Sequence, residues 1–276
     1  SGCAGGGASV EVGRVLYSGS WSITGTSFSS THSDGNGGAL ALNVDGGIYN
    51  SSWSLSNSSF ESVSSIGSGN CVGGAVSFYV AHSLDMLHWH VVDTTFHLVH
   101  AESGRAGGML SFFVSGDAQQ LDWSVNGARF SHGGCPEQWC MGGAIDLQVG
   151  QSLVNSSVAV AGTSFEDITA GGGAGAIRVV ADSLLDTDIA IGGRSTFVDT
   201  VATLQGEEGG AVFVHASSAV AGGSWSLSSA SFERSSSLGR GGAVSFRVDG
   251  PVQDLVCAVD SCSFHDVHAT EQGNPG

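Results

Sequence analysis

Gly241-Gly242-Ala243-Val244-Ser245-Phe246-Arg247-Val248 opens with a glycine pair and a small residue, then alternates apolar and polar side chains. A period of two sustained over five residues is the pattern of a half-buried strand. The stretch is not unique. Taking the Gly before the Ala, or its equivalent, as a marker gives Gly7, Gly38, Gly74, Gly108, Gly143, Gly175, Gly210 and Gly242. A second marker, a Phe usually preceded by a small residue, recurs at Phe28, Phe60, Phe96, Phe130, Phe165, Phe197, Phe232 and Phe264. The Gly-to-Phe distance is 21 residues in the first copy and 22 in the other seven, whereas the distance from Phe to the next Gly varies from 10 to 14. The chain is thus eight copies of a unit of 31 to 36 residues, with a fixed frame and one elastic loop. Self-similarity at such a period signals stacked repeats, each burying its apolar face against its neighbours.

Within one unit, Val76, Phe78 and Val80 fall on one face and Ala75, Ser77 and Tyr79 on the other. Leu40, Leu42 and Val44 repeat the pattern, as do Ile145, Leu147 and Val149. Seven residues before the marker Phe comes a second short strand: Trp21-Ser22-Ile23, Trp53-Ser54-Leu55, Trp89-His90-Val91, Trp123-Ser124-Val125 and Trp225-Ser226-Leu227. Val158, Ala190 and Cys257 hold the Trp position in the other copies. Ile189 and Ile191 point to a one-residue slip in the sixth, taken up by Gly192-Gly193. The Phe opens or lies within a third strand. Three short strands per unit, with corners of Gly, Ser and Asp, predict an all-β fold: a parallel β-solenoid of about eight coils spanning residues 1–276 as one domain, a segment of a longer array. Coils pairing in parallel, about 4.8 Å apart, would make a rod of roughly 40 Å in which Phe stacks on Phe, with the elastic loops forming a ridge along one side. A leucine-rich horseshoe needs a helical return in every unit. Alternation such as Trp53-Ser54-Leu55-Ser56 leaves no room for one.

Of 276 residues 44 are Gly and only 3 Pro, and 41% are hydrophobic, enough to fill a core. Lys is absent, and 8 Arg against 25 Asp plus Glu give a formal charge of −17. No basic stripe exists to neutralise phosphates, so nucleic acid and anionic membrane surfaces are disfavoured partners. No apolar run approaches the ~18 residues of a membrane helix. No signal peptide opens the chain, and it is read as a mature or excised piece that continues in both directions.

Repeated Gly-Gly-Ala followed by an aliphatic residue, with a Phe at fixed distance, resembles the repeats of chlamydial polymorphic outer membrane proteins and of large surface proteins of algae and other protists. Six copies keep Gly-Gly and then Ala or Met before an aliphatic residue, Gly107-Gly108-Met109-Leu110 being the Met case. The family's Phe-x-x-Asn does not occur here. The resemblance implies a right-handed parallel β-helix of the pectin-lyase-like class, exposed on a cell surface and acting in adhesion.

Candidate sites are few. Cys135 and Cys140 lie five residues apart in an elastic loop, at a spacing a local disulfide can close, and Cys257 and Cys262 share that spacing. Zinc is the weaker reading, since its Cys ligands usually stand two to four residues apart with a second pair nearby. Cys3 and Cys71 have no evident partner. Asn50, Asn57 and Asn155 begin Asn-x-Ser sequons, which a Ser-rich chain also produces by chance. Half of the ten His fall in one unit: His82, His88, His90, His97 and His100. With Trp89 pointing inward, His88 and His90 share the outer face. His97 and His100 recur in register as His265 and His268. They are weak metal candidates, with no carboxylate arranged beside them. Asp182, Asp186 and Asp188 are a weaker candidate for surface Ca²⁺.

Lyase chemistry on a β-helix needs clustered carboxylates for Ca²⁺ and a basic residue. Here Lys is absent and the Arg are scattered, while Glu166-Asp167 and Glu207-Glu208 read as solvated turn residues. The expectations are therefore a chain with no catalytic activity and no cofactor, a structural or adhesive rod of an extracellular or cell-surface assembly, with self-association, matrix or surface proteins and glycans as partners. A carbohydrate-binding or polysaccharide-degrading module is the alternative.

Overall fold

The computed structural model describes residues 6–35, 37–66, 73–101, 107–136, 141–203 and 209–270. The elastic loops that were expected to form a ridge lie largely outside these residues. Among the described residues every element is a strand and every strand pairing is parallel. The strands stack as a β-solenoid of about seven turns, the eight repeat copies being joined by seven steps.

Each turn has three strand positions. Leu110–Val114 follows the glycine pair, Ala118–Asn126 carries Trp123, and Arg129–Cys135 carries Phe130. The first two kinds form one 19-stranded sheet and the Phe strands an 11-stranded sheet. Corners are made by residues in the left-handed region, which recur at the same offsets from the Phe except for a one-residue shift in two columns of the sixth copy. One column is Ser18, Asn50, Met86, Gln120, Asn155, Asp186, Gly222 and Asp254, with φ between 46° and 71°. A second is Gly25, Asn57, Asp93, Gly127, Gly162, Gly193, Ser229 and Ser261, and a third is Ser30, Ser62, Leu98, His132, Asp167, Asp199, Arg234 and Asp266. Asn, Asp and Gly adopt this conformation most readily, which is why they mark the corners. Met86, Leu98 and Arg234 adopt it as well, because the coils on either side dictate the bend.

The glycine pair has a steric cause. A Cβ at Gly143 would fall on the carbonyl oxygen of Gly175 in the next coil, and one at Gly210 on that of Gly242. The first Gly of a pair doubles back over the strand it precedes: a Cβ at Gly73 would strike the carbonyl of Val76 and touch Ser111. This fold-back helps cover the residues that alternate with the inward ones along these strands. Ala41, Ser77, Ser111, Asp146, Arg178 and Phe213 are all buried. Asp146 and Arg178 form an ion pair there at 2.9 Å.

Two sequence assignments shift by one residue. Ala8 pairs with Leu40, so the partner of Gly38 is Gly6 rather than Gly7, and the first copy has the same 22-residue frame as the rest. In the sixth copy Ile189, not Ala190, pairs with Val158 and Trp225. One residue is missing before Ile189 and is made up at Gly193 and Arg194, both left-handed, so the 22-residue frame is kept.

The interior is a set of columns. All eight Phe stack ring on ring, with centroids 4.6 to 5.2 Å apart and planes within 7°. Trp53, Trp89 and Trp123 form a second column at 4.7 and 5.2 Å, continued by Val158, Ile189, Trp225 and Cys257. Trp53, Trp89, Trp123 and Trp225 are buried, so their rings belong to the core.

Candidate functional site

Because the inner face of each Trp strand is committed to the core, its alternate residues form two outward columns. One runs Ser20, Ser52, His88, Asp122, Ser157, Asp188 and Ser224; the other runs Ser22, Ser54, His90, Ser124, Ala159, Ala190 and Ser226. Parallel in-register pairing places each residue against its equivalent one turn on, so polar groups meet as ladders. Ser52 donates to Ser20 at 3.0 Å, and Ser224 donates to Asp188 at 2.6 Å.

At one point the ladder changes character. Asp122 lies under His88 and turns one oxygen toward both imidazoles: Oδ2 is 3.1 Å from His88 Nδ1 and 3.5 Å from His90 Nε2. The other ring nitrogen of His90, Nδ1, is 2.8 Å from Ser124 Oγ. The two rings have centroids 6.3 Å apart, and the side chains of His88, His90 and Asp122 are 62%, 37% and 47% exposed. These three are the described His, Cys, Asp or Glu residues whose donor atoms cluster as a metal site would require. The expectation that no carboxylate accompanies these His is therefore corrected. The signal was present in the sequence: His88 and Asp122 each stand eight residues before their marker Phe.

The other candidates do not join them. His97 and His100 belong to Thr95–Ala101 in the second sheet, separated by the left-handed Leu98. His97 Nδ1 is 3.0 Å from Ser131 Oγ, and its ring meets that of His132 edge-on at 5.4 Å. Asp182 accepts from Ser217 and Asp188 from Ser224, so Asp182, Asp186 and Asp188 are not assembled into one ligand set. Glu166 and Asp167 have separate partners in the preceding coil, Arg129 at 2.9 Å and His132 at 3.0 Å. Glu207 and Glu208 lie outside the described residues.

Cys257 and Cys262 are free thiols, which corrects the expected bridge. Their spacing suits a loop, but Cys257 is in mid-strand, paired with Trp225, while Cys262 sits beyond the next corner. Its Sγ donates to the carbonyls of Asp260 and Leu227. Cys135 is fully buried and not free, whereas Cys140, Cys3 and Cys71 lie outside the described residues. Asn50, Asn57 and Asn155 are exposed, and each occupies a left-handed corner, which gives Asn a backbone reason to be there.

Coil-to-coil pairs also set the electrostatics. Hydrogen bonds from Arg234 hold the Asp199 carboxyl below its ordinary value. Arg247, and then His215, do the same for Asp249. No described helix is long and apolar enough to cross a membrane.

No family model and no curated protein matches the chain, so the likeness to polymorphic outer membrane proteins stands on its motifs alone. Among solved structures, the catalytic domain of a GH87 alpha-1,3-glucanase in complex with nigerose aligns over 97% of this chain and 64% of its own, at 9% identity and a TM-score of 0.25. That structure is a catalytic domain, against the expectation of a chain with no catalytic activity, and the expectation is withdrawn. At that TM-score the likeness assigns neither a reaction nor a substrate to this chain.

Proposed function

We propose that this chain is a segment of a stiff β-helical rod in an extracellular or cell-surface assembly, where it sets distance and displays its outer ladders. The observation that carries this reading is the unbroken column of eight Phe, stacked through every turn without a gap. A continuous parallel ladder with a filled core resists bending, while Ser-rich faces and the net charge of −17 favour solubility. The Gly-Gly-Ala and Phe motifs, through the families they resemble, support surface display. The test is excision of two whole internal copies, joined at equivalent residues, in the native assembly. Electron microscopy should then show the parts flanking the rod about 10 Å closer with the assembly otherwise intact. An unchanged spacing would refute the reading.

A carbohydrate-binding surface is a second reading, favoured by Tyr17 and Tyr49. They stack at 5.2 Å on the outside, with Tyr17 70% exposed, and Tyr49 borders an open groove with Arg14, Gly47, His82 and Ser83. Exposed, rigid aromatic faces with polar neighbours suit a sugar ring. Binding on a glycan array that is lost in Tyr17→Ala would support it, and an array without signal would end it.

A further inference from the structure

We propose that His88, His90 and Asp122 form a binding site for a divalent transition-metal ion such as Zn²⁺ or Ni²⁺. The site needs no rearrangement of the backbone. His88 and His90 are two apart on one strand, so their side chains leave the same face. The in-register pairing of the next turn then supplies Asp122 beneath His88. Tetrahedral bonds of 2.0 to 2.1 Å place the ligand atoms of one ion about 3.3 Å apart. Asp122 Oδ2 already stands 3.1 Å and 3.5 Å from the two imidazole nitrogens, and the three donors lie within 4.8 Å of one another.

A second feature points to a ligand beyond a simple ion pair. Ser124 holds His90 through Nδ1 at 2.8 Å, which fixes the ring with Nε2 turned toward Asp122. Metal-bound imidazoles are commonly oriented in this way by a hydrogen bond to the other nitrogen. Two imidazoles and one carboxylate select Zn²⁺, Ni²⁺ or Cu²⁺ over Ca²⁺ and Mg²⁺, which prefer all-oxygen shells. One carboxylate also leaves a single protein charge on the ion, and the surrounding chain, with no Lys and a net charge of −17, attracts cations. Exposure of all three residues leaves the remaining coordination positions to water or to a ligand from another molecule.

The test is calorimetric titration of the intact chain with ZnCl₂, with Cys257 and Cys262 replaced by Ser so that free thiols do not compete, and with CaCl₂ in parallel. One equivalent of zinc should bind, and calcium should not. His88→Ala, His90→Ala and Asp122→Asn should each weaken binding by more than the roughly tenfold that loss of an outer hydrogen bond costs, and Ser124→Ala by about that tenfold. His97→Ala should leave the affinity unchanged. Circular dichroism confirms folding of each variant, and the visible spectrum of the Co²⁺ form reports the ligand set directly. Absence of zinc binding, binding indifferent to His90→Ala, or a preference for calcium would each overturn the proposal.

Discussion

The Phe column and the Trp column are built on the same coils with the same register, yet they differ. The Phe position is Phe in all eight copies, whereas the Trp position takes Val158, Ile189 and Cys257 as well. The sixth copy also lacks one residue before its Trp position and regains it at the following corner, while Phe165, Phe197 and Phe232 keep stacking through it. A chemical difference underlies this. A benzyl group carries no polar atom into the core. The indole nitrogens of Trp89, Trp123 and Trp225 are buried with no hydrogen-bond partner among the described residues. An unpaired buried donor costs about 1–3 kcal/mol, which offsets part of what the larger ring contributes by burial. One column thus pins the register and the other tolerates substitution.

Four measurements test this contrast. The largest effect is expected for Phe165→Ala, which opens a cavity between two stacked neighbours and should cost about 3–5 kcal/mol in denaturant unfolding. Next comes Asp146→Ala, which leaves the Arg178 guanidinium buried without its carboxylate. Breaking such a pair costs roughly 3–5 kcal/mol at full burial, and somewhat less here because Arg178 keeps a small exposed fraction. Adding Arg178→Met should recover most of that loss; no recovery would mean that the buried outer column is held by something other than the pair. Trp123→Phe should cost no more than about 1.5 kcal/mol, since it removes an orphaned donor along with some volume. A loss equal to that of Phe165→Ala would show that the two columns are equivalent after all.

The smallest effect belongs to the outer ladders. Asp199 titrates below its ordinary value of 3.8 because Arg234 donates to it. The pair's support is therefore present above pH 3.8 and is lost as pH falls through the depressed value. Half-exposed and screened by solvent, it should give Asp199→Asn only a slightly lower melting temperature at neutral pH. The difference from the parent chain should vanish in strong acid. A gap that persists at pH 2 would place the role of Asp199 outside this ion pair.

Much of the fold was legible because a solenoid is nearly one-dimensional. Residues at equal offsets from a marker Phe lie in one column, so Trp53 above Trp89 or Ser52 above His88 follows from counting. The candidate site was only half legible. His88 and His90 stand out within one unit, but Asp122 joins them from the next, and reading one unit at a time conceals it. The six Cys were misleading in one respect: the spacing of Cys257 and Cys262 is silent about the strand and corner that separate their directions.

Periodicity alone was enough to establish the strands, the parallel stacking and the inward columns, because alternation and a constant frame leave one way to stack eight Phe. Other features depended on the folded chain. The doubling back of the glycine pair over its own strand buries Asp146 and Arg178, and the left-handed corners turn His97 away from His100. The rotamer of Asp122 brings one oxygen within reach of two imidazoles. These arise from contacts between turns and from side-chain torsions, which no pattern of residue types along the chain encodes.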